Sequence, residues 1–180
     1  MDIKVQNIVA SGSAGTPLDL KKISLSLDET QYVPEKFPGL VYKLKEPKTS
    51  MLLFSSGKFV CTGGKSIEMV NKAIRIILGN LEKLGIKVSK DPQVKIQNIV
   101  ATSDLKKVLN LNSVAISLGL ERVEYEPEQF PGLVYRVKER NVVMLLFGSG
   151  KIVCAGAKEI LDIDIALQEV VRELTDAGFI

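Results

Sequence analysis

Few side chains in this sequence could carry covalent chemistry. Histidine is absent and cysteine occurs only at Cys61 and Cys154. That removes the usual general base and leaves too few soft ligands for an ordinary zinc site, so no catalytic residue, metal ligand or cofactor is assigned. Two cysteines build no disulfide framework, and their equivalent settings read as small buried thiols. GGKS at 63–66 ends like a phosphate-binding loop. That motif requires glycine five residues before Gly64, where Phe59 stands, and the matching segment later in the chain is AGAKE. Asp162 and Asp164 fall beside an apolar helical stripe and read as solvated carboxylates.

The elements that hold these residues occur twice. FPGLVY occupies 37–42 and again 130–135; aligned without a gap, 32–65 and 125–158 share 22 of 34 residues. KVQNIVA at 4–10 returns as KIQNIVA at 95–101. A period near 90 residues is too long for a solenoid and suits a duplicated half-domain. The expected organisation is one repeat over 1–90 and a second over 91–180, packed as one continuous domain and related by a pseudo-twofold axis. In each copy VQNIVAS reads as a strand, LDLKKISLSL (18–27) as a short amphipathic helix, and TQYVP as an edge strand stopped by Pro34. GLVYKLKE, TSMLLFSS and KFVCTG follow as strands, with a turn at Glu46-Pro47 and Gly57 after the second.

Ser66 is placed to cap a long helix whose apolar residues, Ile67, Val70, Ile74, Ile77, Leu78, Leu81 and Leu84, keep helical spacing up to Gly85. In the second copy the stripe is Ile160, Ile163, Leu167, Val170, Val171 and Leu174, closed by Gly178. Five strands and two helices per copy, with short turns between strands, predict an α+β fold: a mainly antiparallel sheet with helices on one face. Yet both faces of the strands carry apolar groups. Phe59 and Cys61 oppose Lys58, Val60 and Thr62, while Met51 and Leu53 oppose Leu52 and Phe54. The helix-free face therefore calls for a partner.

Composition narrows the class of partner. The 180 residues are 46% hydrophobic with mixed charge, which suits a packed core and excludes disorder. No apolar run reaches the length of a membrane span and the N-terminus is unlike a signal peptide, so an intracellular protein away from membranes is expected. The net charge of +3 divides unevenly, +6 over 1–90 and −3 over 91–180. A basic half can approach phosphates, and an acidic half a basic protein.

QNIVA, EKFPGLVYKLKEPKT, MLLFSSGKFVCTGGK, IQNIVATSDL, YEPEQFPGLVYR and MLLFGSGKIVCAGAK resemble the signature segments of the TATA-box-binding protein family, across nearly the whole chain. The resemblance implies a saddle: a curved ten-stranded antiparallel sheet with two long and two short helices on its convex side. The concave side of that saddle grips the minor groove of promoter DNA. It also implies a non-enzymatic general transcription factor that nucleates assembly of transcription factor B and, indirectly, RNA polymerase. Kinking by inserted apolar side chains is known of this family and is part of what the resemblance implies.

On that resemblance Asn7 and Asn98 match the central asparagines, Val9 and Val100 lie beside them, and Leu52, Val60, Leu145 and Val153 form the apolar floor. Phe37 with Phe54, and Phe130 with Phe147, match the inserting pairs. Thr62 matches a contact threonine whose counterpart here is Ala155. Lys43, Lys58, Arg136 and Lys151 align in pairs as phosphate contacts, and a mostly apolar surface implies only moderate salt dependence. Glu126 and Glu128 match the stirrup that binds transcription factor B; the first copy has YVPEKF where the second has YEPEQF. The short segment before the first repeat resembles the archaeal form, implying a cytoplasmic, nucleoid-associated protein; a eukaryotic one would be nuclear. A homodimer in the absence of DNA is a further expectation. Two other classes stay open from the residues alone: a DNA-processing enzyme gripping through such a sheet, and a scaffold whose apolar face serves self-association.

Overall fold

The computed structural model describes every residue from Met1 to Ile180. The first copy builds β1 (Lys4–Ser13), α1 (Leu20–Ser26), β2 (Thr30–Gln31), β3 (Leu40–Leu44), β4 (Thr49–Leu53), β5 (Lys58–Gly64) and α2 (Ile67–Lys83). The second repeats the order as β6 (Lys95–Asp104), α3 (Leu111–Leu118), β7 (Val123–Glu124), β8 (Leu133–Val137), β9 (Val142–Leu146), β10 (Lys151–Ala157) and α4 (Ile160–Asp176). Ten strands in an antiparallel sheet with four helices make the fold α+β, as expected. Two compact units divide the chain, one of Asn7–Gln97 and one of Met1–Gln6 with Asn98–Ile180.

Within the first copy the strands lie in the order β2-β3-β4-β5-β1, and within the second β7-β8-β9-β10-β6. Neighbouring strands are antiparallel, as short turns require. α2 packs on β4 and β5, and α4 on β9 and β10. The faces they cover carry Leu40, Tyr42, Met51, Leu53, Phe59 and Cys61 in one copy and Leu133, Tyr135, Met144, Leu146, Ile152 and Cys154 in the other, all buried. Burial pushes the Cys61 thiol up to about 11 and the Cys154 thiol to about 12, so both stay protonated and inert at neutral pH. Two buried tyrosines find polar partners on the long helices. Asn80 Nδ2 donates to the Tyr42 hydroxyl at 2.9 Å, and the Tyr135 hydroxyl donates to Glu169 at 3.2 Å.

Helix ends follow their side-chain chemistry. Ser66 Oγ accepts from Met69 N at 3.0 Å, so GGKS is the end of a strand and a helix cap. Asp19 and Asn110 cap the short helices in the same way. Gly85 and Gly178 take left-handed backbone after α2 and α4 (φ 86° and 77°), where the backbone turns out of the helix.

Three expectations change. TQYVP is a strand only over Thr30–Gln31, because the Val33 carbonyl accepts from both Lys36 and Phe37 N–H and closes a turn. Ile67 and Ile160 keep the helical period yet are 45% and 46% exposed. Each is the first residue of its helix, beyond the strands beneath. Leu84 stands past the end of α2, half-buried, as its C-cap.

Candidate nucleic-acid interface

Alternation in β3, β4 and β5 leaves every second side chain uncovered by a helix: Val41 and Lys43, Ser50 and Leu52, Val60 and Thr62. Cross-strand register sorts them into rows. Val41 faces Leu52, Leu52 faces Val60 and Val60 faces Ser11, giving a largely apolar row. Lys43, Ser50 and Thr62 make the next row. In the second copy Val134, Leu145, Val153 and Thr102 form the first row, and Arg136, Val143 and Ala155 the second. The expected floor residues thus meet within each copy, Leu52 with Val60 and Leu145 with Val153, and Val9 and Val100 are half-buried.

The asparagines are positioned by a bulge. Between the β1 pairs Ile8↔Gly64 and Ala10↔Cys61, strand β5 carries one extra residue; β10 does the same against β6 between Cys154 and Ala157. Gly63 and Gly156 there have φ of 96° and 94°, a conformation that favours glycine. The bulge leaves an N–H without a strand partner, and the asparagine takes it: Gly63 N donates to Asn7 Oδ1 and Gly156 N to Asn98 Oδ1, each at 2.7 Å. Backbone capping thus occupies only the carbonyl end of each amide. The anchored carbonyl end leaves the NH2 end to donate outward. In the first copy that Nδ2 also donates to Thr62 Oγ1 at 3.1 Å. In the second Ala155 offers nothing, and Asn98 Nδ2 has no acceptor in its own unit.

Each phenylalanine pair is held edge to face. The Phe37 and Phe54 centroids are 6.0 Å apart at 68°, and those of Phe130 and Phe147 are 6.0 Å apart at 67°. Phe37 and Phe130 are 38% and 39% exposed, an unusual state for such a ring. The glycine of each FPG explains the seat. A Cβ on Gly39 would stand 2.7 Å from Phe37 and 3.1 Å from Phe54, and one on Gly132 2.7 Å from Phe130 and 3.1 Å from Phe147. These two glycines, with Val41, Ser50, Ser11, Val134, Val143 and Thr102, are not among the site residues expected from sequence. The repeated FPG and the alternation of LVYKL were the available signals.

Lys43, Lys58, Arg136 and Lys151 are all exposed, but their surroundings differ by copy. Arg136 Nε donates to Glu124 Oε1 at 3.1 Å, and Lys151 lies opposite Asp104. The Asp104 carboxyl is held below its usual range, first by the Lys106 N–H and also by the Lys106 and Lys151 charges. The matching places beside Lys43 and Lys58 are Gln31 and Ser13. We therefore expect Lys43→Ala with Lys58→Ala to reduce the salt dependence of DNA binding by nearly two phosphate contacts, about 1.8 in slope. Arg136→Ala with Lys151→Ala should change it by half that or less, because carboxylates already offset those charges. Filter-binding titrations over a range of salt measure both; equal losses would contradict the difference. Glu126 and Glu128 are exposed on the turn where the Glu126 carbonyl accepts from Gln129 and Phe130 N–H.

Comparison with known proteins places this geometry in context. A family model described as "Transcription factor TFIID (or TATA-binding protein, TBP)" matches residues 2–84 and 93–177. The chain is 57% identical over 178 residues to the TATA-box-binding protein of Thermoplasma acidophilum, covering 99% of this chain and 97% of that protein. It is 52% identical over 178 residues to TATA-box-binding protein F of Halobacterium salinarum, covering 99% and 96%. Among solved structures, Methanococcus jannaschii TBP superposes with a TM-score of 0.89 at 45% identity, over 98% of this chain and 99% of that one.

Proposed function

This chain belongs to the TATA-binding protein family of general transcription factors, which are not enzymes, and from that premise we infer how its uncovered sheet face acts. The face lies in the minor groove of TATA-box promoter DNA. The groove of an A·T-rich site presents only acceptors, adenine N3 and thymine O2, and the NH2 groups of Asn7 and Asn98 donate to them. Leu52, Val60, Leu145 and Val153 pack on the sugar-lined groove and collide with a guanine amine. The Phe37–Phe54 and Phe130–Phe147 pairs enter base steps and kink the duplex, as known for this family.

The observation that carries this reading is the pair of half-exposed rings repeated with the same separation and nearly the same angle in both copies. Fluorescence transfer between dyes on the ends of a TATA duplex tests it. Shortening of the end-to-end distance on binding is expected. Strand or base cleavage would point to a processing enzyme instead, and an unchanged distance with protein self-association to a scaffold.

In this reading the repeats 1–90 and 91–180 work as one continuous domain, cytoplasmic and associated with the nucleoid. An uncovered apolar face favours a homodimer when DNA is absent. Glu126 and Glu128 recruit transcription factor B, and through it RNA polymerase: both carboxylates are exposed, whereas the first copy has Val33 and Glu35 at these places, with Lys36 alongside. Glu126→Arg with Glu128→Arg should abolish the supershift by transcription factor B on TATA DNA and leave binary binding intact. An undiminished ternary complex would remove this assignment.

A further inference from the structure

The two copies present the same apolar row but different second rows, and that difference has a consequence for base selection. In the first copy the row is Lys43, Ser50, Thr62, with Asn7 bonded to Thr62; in the second it is Arg136, Val143, Ala155, with Asn98 beside it. Ser50, Thr62, Val143 and Ala155 are all half-buried and helix-free. The first copy therefore offers two hydroxyls where the second offers only methyl groups.

A hydroxyl donates once and accepts twice. The Thr62 Oγ1 accepts from Asn7 Nδ2 at 3.1 Å and lies 3.3 Å from Asn7 Oδ1, which leaves it one free lone pair. Ser50 Oγ makes no hydrogen bond within its unit and keeps its full capacity. The one polar group that separates G·C from A·T in the minor groove is the guanine N2 amine, a donor. Over the first copy's second row that amine meets acceptors. Over Val143 and Ala155 it is desolvated with no partner, the costly state for a buried donor.

We propose that Ser50 and Thr62 make the first half of this protein tolerant of a G·C pair at the base step beneath them, while Val143 and Ala155 confine the second half to A·T. The proposal rests on the minor-groove reading above. It adds a second consequence: a site with one G·C pair is bound in one orientation, with the first half over that pair.

The test places one G·C pair, and then two related by the dyad, at each position of a palindromic A·T duplex, with affinities measured for each. Orientation is read by cleavage from iron chelate on a cysteine introduced as Ser149→Cys, since Cys61 and Cys154 are 0% and 3% exposed and escape labelling. For the unaltered chain, one G·C pair at the sensitive position should cost about threefold or less, because the first half turns over it. The dyad-related pair of substitutions forces one of them under the second half and should cost roughly 10- to 100-fold, the usual range for a mismatched pair. Ser50→Val with Thr62→Ala should raise the single-pair penalty to that range and abolish the orientation preference. Val143→Ser with Ala155→Thr should lower the double-substitution penalty to about tenfold or less and likewise abolish the preference. A single-pair penalty of about tenfold or more in the unaltered chain, random orientation on the singly substituted site, or a preference that survives both exchanges would overturn the proposal. Failure to bind the all-A·T duplex would instead overturn the minor-groove reading itself.

Discussion

Replacing Phe37, Phe54, Phe130 and Phe147 together by alanine is expected to abolish the bend and to weaken TATA binding on the order of a thousandfold. Prying open a base step costs a few kcal/mol, and each ring buried against bases returns roughly 1.5–3 kcal/mol. Without the rings the open step has no compensation, so the duplex stays straight and the flat groove floor loses most of its contact. About 4 kcal/mol of net loss corresponds to three decades of affinity. The folded protein should hardly notice. Phe37 and Phe130 are 38% and 39% exposed, and each pair is seated above Gly39 or Gly132 at the uncovered face. Thermal unfolding measured beside end-to-end fluorescence transfer separates the two effects. A normal bend angle in the fourfold variant would remove the wedge from the mechanism. Within a pair, the edge-to-face contact itself is worth about 0.5–1.5 kcal/mol, so loss of one ring also loosens the other.

The second large effect is expected from Asn98→Asp. Its Oδ1 accepts from Gly156 N at 2.7 Å, and a carboxylate oxygen can do the same, so the β10 bulge survives. What changes is the other end of the side chain, from a free NH2 donor to an anionic acceptor, which in the proposed binding mode faces adenine N3 and thymine O2. The donor is lost and repulsion replaces it, for a combined cost of about 3 kcal/mol, or two decades in affinity. Asn7→Asp should cost less, because Asn7 Nδ2 already donates to Thr62 Oγ1 at 3.1 Å and Thr62 can turn its hydroxyl to the carboxylate. Equilibrium binding to a TATA duplex, with unfolding measured in parallel, gives both numbers. If Asn98→Asp bound normally, the asparagine would be a backbone cap and nothing more. If it unfolded, the bulge would depend on the amide in a way the geometry does not suggest.

Much of this protein is legible in one dimension because its signals are local or repeated. Alternation in KFVCT and MLLF sorts side chains between two faces, since a strand has a period of two whatever surrounds it. Ser66 caps α2 through a bond to a residue three places on, and Gly85 marks the helix end through its own backbone freedom. The duplication doubles each signal: one FPGLVY suggests a buried strand, whereas two, each followed by MLLF at the same distance, single out four rings. The uncovered apolar face follows from counting helices against strands.

What stayed hidden depends on pairs of residues far apart in the chain. Asn7 and Gly63 meet only because β1 and β5 run side by side with one extra residue in β5, and no local pattern announces that slip. Glu124 beside Arg136, and Asp104 opposite Lys151, likewise arise from cross-strand register. Those placements turn four equivalent-looking cations into two free ones and two offset ones. Sequence alone determined the repeat, the elements and the faces, because these obey the short-range geometry of helix and strand. Which amide end is anchored, which charges are free and which side chains share a row were decided by tertiary structure, because hydrogen bonds and ion pairs act over a few ångströms and only folding brings their partners that close.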